Sequence, residues 1–123
     1  MAIRLVFVGA LLLSAWASAS HAATSFAEAE HLFNSQPRTA ATDAYGTAWA
    51  KFNNAQHLDE RDGCYYKADG MLVQILQIDA TGKVVDYFTD KNNGRAQCWR
   101  NTYLGVTFPK PPFAPFYHRL VMH

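Results

Sequence analysis

Catalytic signatures, charge of one sign and an apolar run of membrane length are all missing from this 123-residue chain. Eleven Lys and Arg stand against ten Asp and Glu, without a long run of either sign. The basic patch of a nucleic-acid binder is therefore lacking, and electrostatics nominate no partner. There is no His-x-x-x-His, His-Glu-x-x-His or Gly-x-Ser-x-Gly, and no glycine-rich phosphate loop. His31, His57, His118 and His123 are scattered, so ligand spacing for a metal is missing as well. Asp59, Glu60 and Asp62 lie close in sequence, as do Asp86 and Asp90. The first group reads as a solvated loop. No enzyme, cofactor or metal is expected. Internal repeats and low-complexity tracts are also wanting.

The apolar run that does exist, Leu5 to Leu13, is about nine residues long, well short of the roughly 20 that span a bilayer. Arg4 precedes it, and small residues follow, ending in Ala17-Ser18-Ala19 and Ser20-His21-Ala22. That order is a secretion signal, cleavable after residue 19 or 22. The expected product is a periplasmic protein with no stable membrane insertion after cleavage. Removing residues 1–22 takes away Arg4, leaving ten basic and ten acidic residues in a formally neutral chain of about 100 residues. That is one domain by length, with a modest core.

Cysteine is scarce: Cys64 and Cys98, with no Cys-x-x-Cys. After an export signal, an isolated pair forms a disulfide. Closing a loop of about 35 residues contributes roughly 3–4 kcal/mol, chiefly by constraining the unfolded chain.

The remaining sequence alternates helical and strand patterns. Phe26 to Phe33 reads as a short helix, interrupted by Ser35-Gln36-Pro37 because proline disfavours helical geometry in the residue before it. Residues 34–41 read as a connector. Thr42 is the expected N-cap of a second helix, with Asp43 in its first turn. Tyr45, Ala48, Trp49 and Phe52 then fall on one helical face. His57 to Gly63 reads as a loop. Tyr65 and Tyr66 are expected to open the first strand, followed by a turn or bulge at Lys67 to Gly70.

Met71 to Ile78 is a strand with apolar residues on both parities, so it is covered on both faces or bulged. Asp79-Ala80-Thr81-Gly82 marks a hairpin into Val84 to Phe88. Asn92-Asn93-Gly94 offers a helix cap, and Ala96, Trp99, Tyr103 and Leu104 form a stripe that ends at Gly105. A final strand runs from Phe116 to Val121.

These pieces resemble the C-terminal domain of TolA and, more loosely, that of TonB, both periplasmic coupling proteins. The residues that carry the likeness are the helix of Tyr45 and Trp49, Cys64, the strand Leu72 to Ile78 and the turn of Asp79, Gly82 and Val84. They continue with Cys98 on a helix and Phe108-Pro109-Lys110-Pro111-Pro112. The likeness covers roughly residues 42–121. It implies an α+β fold of two layers, an antiparallel sheet of about three strands packed with helices, and maps the family disulfide onto Cys64–Cys98. The expected division is a signal peptide at 1–22, an N-terminal extension with a short helix at 23–41, and the TolA-like domain at 42–123. Two departures stand out. The cysteines are farther apart than in TolA, with Tyr65 to Gly70 as added material. The inner-membrane anchor and long periplasmic helix of a transducer have no counterpart, so a binding head alone is expected.

In that family partners add a strand to an exposed sheet edge. The expected docking edge is the hairpin or the last strand, Phe116, Tyr117, His118, Arg119, Leu120 and Val121. The proline-stiffened segment with Lys110 and Phe113 either joins the binding surface or closes the core. The resemblance implies a protein-binding role as accessory to, or competitor within, Tol/Ton-type envelope assemblies. Its partners would be a TolB-like propeller, a toxin or a phage protein. The alternative on the same fold is an inhibitor or immunity protein against a periplasmic toxin or hydrolase, using the loop Lys110 to Pro115.

Overall fold

The structure, a computed structural model, describes residues 22–123. The expected signal peptide lies, apart from Ala22, outside the described residues. Three helices, a 3-10 segment and three strands follow in order: α1 (Phe26–Ser35), α2 (Ala40–Gln56), the 3-10 segment Leu58–Lys67, β1 (Leu72–Ile78), β2 (Val84–Thr89), α3 (Gly94–Tyr103) and β3 (Phe116–Met122). The strands form one antiparallel sheet in the order β2-β1-β3. The fold is α+β, as expected.

β1 is buried along its whole length, and its two faces serve two cores. Leu72, Leu76 and Ile78 join the larger one, with Tyr45 and Trp49 of α2 and Ala96, Trp99 and Tyr103 of α3. Ile75 meets Phe88, Tyr117 and Ala29 of α1 on the other face. Both sequence readings of this strand hold, because it also carries a register shift against β2 at Gln77 and Ile78. The layer formed by α1 is additional to the two layers implied by the resemblance.

Local chemistry sets the helix ends. The Ser25 hydroxyl accepts the Glu28 N–H at 3.2 Å and starts α1. Gln36 is extended, as the residue before Pro37 must be. The start of α2 differs from expectation. Its N-cap is Thr39, and Thr42 returns a reciprocal bond from inside the helix: Thr42 N–H to Thr39 Oγ1 at 3.3 Å and Thr39 N–H to Thr42 Oγ1 at 2.8 Å. Two threonines three residues apart both find a role, and the inner one does not begin the helix. Residues 40 and 41 consequently belong to α2. At the far end His57 adopts a left-handed conformation and turns the chain into the 3-10 segment. That segment breaks at Arg61 to Gly63, where Asp62 and Gly63 have positive φ.

Tyr65 and Tyr66 do not open a strand. The disulfide joins Cys64 to Cys98 of α3, with Cα atoms 5.3 Å apart. The Arg95 guanidinium donates to the carbonyls of Tyr65 and Gly70 and lies 4.6 Å from the Tyr65 ring centre. A covalent tie and a buried cation thus hold this stretch against α3, overriding the strand preference of two tyrosines. Leu104 also departs from its expected stripe: it caps α3 and is exposed, while Gly105 (φ +83) turns the chain back towards β2.

The larger core is strongly aromatic. The Trp49 indole stacks on Phe108 at 4.7 Å and lies 4.0 Å from the His118 ring. Tyr103 donates to Asn53 at 3.1 Å, which explains a buried asparagine on α2. The β1–β2 turn relies on Gly82: its φ is +94, and a Cβ there would lie 2.0 Å from the Phe108 carbonyl oxygen.

Candidate functional site

In a three-stranded sheet the outer strands each leave a row of backbone groups that must be paired, covered or left open. β2 and β3 are those strands here, and they are treated differently. Along β2, the Val84 N–H donates to the Val106 carbonyl and the Gly105 N–H donates to the Val84 carbonyl, both at 2.9 Å. Farther along, the Asp86 carboxylate accepts the Tyr87 N–H at 2.8 Å, and Arg100 donates to the Tyr87 carbonyl at 2.9 Å. The α3–β3 connection and two side chains therefore cover this edge over Val84 and Tyr87, leaving only its end at Thr89 without a partner for its backbone among the described residues.

Along β3, one rung is closed by a side chain. The Gln36 amide donates to the Tyr117 carbonyl at 2.9 Å and accepts the Tyr117 N–H at 2.6 Å. Since β3 pairs residue for residue with β1, outward-facing backbone groups recur at every second position. With Tyr117 facing outward, Arg119 and Val121 face outward too. Among the described residues, no group pairs with the outward N–H or C=O of either one. The open edge is short, two rungs, and begins where Gln36 stops.

The side chains of the expected site residues divide sharply. Phe116 and Tyr117 are buried, with 5 % and 3 % exposure. Phe116 packs between Tyr45 and Phe113, at 4.7 and 5.2 Å, and the Tyr117 hydroxyl accepts the Ala23 N–H. His118 lies against Trp49, and burial pushes its pKa down to about 4. Arg119 is exposed, while Leu120 and Val121 are partly exposed. Lys110 is exposed, but Phe113 packs on Phe116, and Tyr45 donates to the Pro109 carbonyl at 2.9 Å. Of the two readings of the proline segment, the aromatic members serve as a core lid.

Beyond Val121 the strand reaches a second feature. Met122 lines a cleft of ≈ 410 Å³ with Tyr65, Tyr66, Asp59 and Glu60. Tyr66 is 88 % exposed, and its ring meets that of Tyr65 edge-on at 5.5 Å. At the opposite end a groove of ≈ 210 Å³ runs beside Gln36, between Arg38 and Thr42 on one side and Phe116 on the other. No cluster of His, Cys, Asp and Glu among the described residues is arranged to hold a metal ion. No described helix is long and apolar enough to cross a membrane.

Sequence reasoning named β3 but missed Gln36, Arg100 and Asp86, the side chains that decide which edge is open. Gln36 carries no local signal for its role, because its partner is 81 residues away.

Comparison of the chain with models of known families, with curated proteins and with solved structures found no match.

Proposed function

We propose that this chain is an exported protein-binding module that captures an extended segment of a partner along the outer edge of β3. The observation that carries this reading is the pair of unpartnered rungs at Arg119 and Val121, beside a β2 edge that is fully covered over Val84 and Tyr87. A strand laid there gains a backbone ladder, and alternate side chains supply selectivity. On one face the neighbours are Arg119 and Val121. On the other they are Leu120 and Met122, with the exposed Tyr66 and the acidic rim of Asp59 and Glu60 close to the strand's end.

The resemblance to the TolA C-terminal domain supplies the partner class. The module acts by binding, without chemistry of its own, as accessory or competitor in a periplasmic Tol/Ton-type assembly. A TolB-like propeller, an imported toxin or a phage protein is the expected occupant.

The test uses the exported protein as bait in periplasmic extract, beside a Val121→Pro variant, with captured proteins read by mass spectrometry. The Val121 N–H points away from β1, so proline there removes an outer donor and leaves the β1–β3 ladder intact. Tol-type components captured by the wild type and lost with Val121→Pro support the proposal. Equal capture by both proteins moves the binding site off this edge. A single toxin or hydrolase would replace the envelope role with inhibition.

A further inference from the structure

Ala22 is exposed, yet the next residue, Ala23, is 4 % exposed and belongs to the smaller core. Its backbone N–H donates to the Tyr117 hydroxyl at 3.1 Å, tying the beginning of the described chain to β3 across 94 positions. The surroundings of that nitrogen are unusual for an ordinary amide. Gln77 of β1 stands directly opposite Tyr117 on one side and Asp86 of β2 on the other, so the three share one face of the sheet. Gln77 is 8 % exposed, and its Oε1 is a buried acceptor with no hydrogen-bond partner. It lines a pocket of ≈ 290 Å³ together with Ala22 and Asp79. Burial raises the pKa of the Tyr117 hydroxyl, and the negative charges of Glu28 on α1 and Asp86 raise it further. A buried acceptor without a donor, with Asp79 lining the same pocket and Asp86 opposite it on the sheet, is suited to a cation with several N–H groups.

A chain terminus at Ala23 is such a group. We propose that the chain is cut between Ala22 and Ala23, and that the new α-ammonium of Ala23 docks on the sheet against the Tyr117 hydroxyl and Gln77 Oε1, in the field of Asp86 and Glu28. This rests on the export reading of residues 1–22. The cut is a hydrolysis by a leader peptidase: water breaks the Ala22–Ala23 amide bond, its hydroxyl completes the Ala22 carboxyl group, and its hydrogen stays on the Ala23 nitrogen. That amine takes up a further proton at neutral pH. An amide has one N–H and no charge, whereas the ammonium has three donors and a positive charge. The alternative cut after Ala19 leaves Ser20-His21-Ala22 attached to an amide and leaves Gln77 Oε1 without a donor. Leader removal would then do more than release the protein: it would complete the attachment of the α1 layer to the sheet.

The full chain is exported in a bacterial host and the mature product is weighed intact. The expected mass begins at Ala23. Its α-amine, read by NMR after isotopic labelling, is expected to titrate higher with the Asp86 carboxylate present than without it, the carboxylate offsetting what burial takes from an ammonium. Asp86→Asn, which keeps an oxygen to accept the Tyr87 N–H, is expected to bring that value down while the far-ultraviolet circular dichroism stays unchanged. A mature chain beginning at Ser20 overturns the inference and leaves the export reading standing. An uncut chain overturns both. A terminus at Ala23 whose titration is the same with Asp86 and with Asp86→Asn overturns the docking. Failure of the docking alone leaves partner capture along β3 standing, since that is read separately.

Discussion

Gln36 and Tyr117 are joined by two hydrogen bonds that copy one rung of a β-ladder: the side-chain amide of Gln36 accepts the Tyr117 N–H and donates to the Tyr117 carbonyl. A primary amide has the same donor–acceptor pair as a backbone peptide, so one side chain does the work of a neighbouring strand for a single residue. The chain bearing it is held extended by Pro37 and anchored by α1 on one side and the capped start of α2 on the other. The edge of β3 is thus closed where it begins and open where it ends.

Gln36→Ala is expected to lower stability by about 1–2 kcal/mol, the net worth of two partly buried hydrogen bonds, measured by urea unfolding. Partner capture is expected to hold or strengthen, because a third rung becomes accessible at Tyr117. Weakened capture in a folded variant would mean that Gln36 itself contacts the partner.

The disulfide fixes the 3-10 segment to α3, closing a loop with a sequence separation of 34. Cys64→Ser with Cys98→Ser is expected to cost about 3–4 kcal/mol, read as a lower denaturation midpoint relative to the oxidised wild type. Adding reductant to the wild type should reproduce the loss. A midpoint unchanged by either treatment would show that Arg95, through its bonds to the Tyr65 and Gly70 carbonyls, is sufficient to hold the segment.

His118 provides a pH dependence whose sign is fixed by its burial. Its pKa falls from 6.5 to about 4 on folding. Between those values the unfolded chain binds a proton that the native chain does not, so stability declines as pH is lowered from about 6.5 towards 4 and levels off below. The effect is at most about 3 kcal/mol, and the partial exposure of the residue reduces it. Unfolding curves across this range should be steeper in pH for the wild type than for His118→Gln. Parallel curves would remove His118 from the account.

The parts of this fold that were legible in the sequence are those decided within a few residues. Leu72 to Ile78 announced burial on both faces through its two parities, and Asp79 to Gly82 announced the hairpin. Asn93 does cap α3: its side chain accepts the Ala96 N–H at 3.0 Å. The misreadings arose where a distant group overruled a local preference. Tyr65 and Tyr66 have the composition of a strand, but Cys98 and Arg95, about thirty residues on, hold them in a 3-10 segment. Leu104 fits a helical stripe by spacing, yet it falls at the cap where the chain must turn. The candidate site was half legible. β3 could be named from its pattern, but its openness depends on what Gln36, Arg100 and Asp86 do elsewhere on the sheet.

Amide hydrogen exchange along β3, in the free protein and in the complex recovered from periplasm, tests the central claim most directly. In the free protein His118 and Leu120, which face β1, should exchange slowly, as should Tyr117 under the Gln36 side chain. Arg119 and Val121 should exchange rapidly, and partner binding should slow these two amides more than any other pair in the sheet. Slow exchange at Arg119 and Val121 in the free protein, or no change there on binding, would contradict the account.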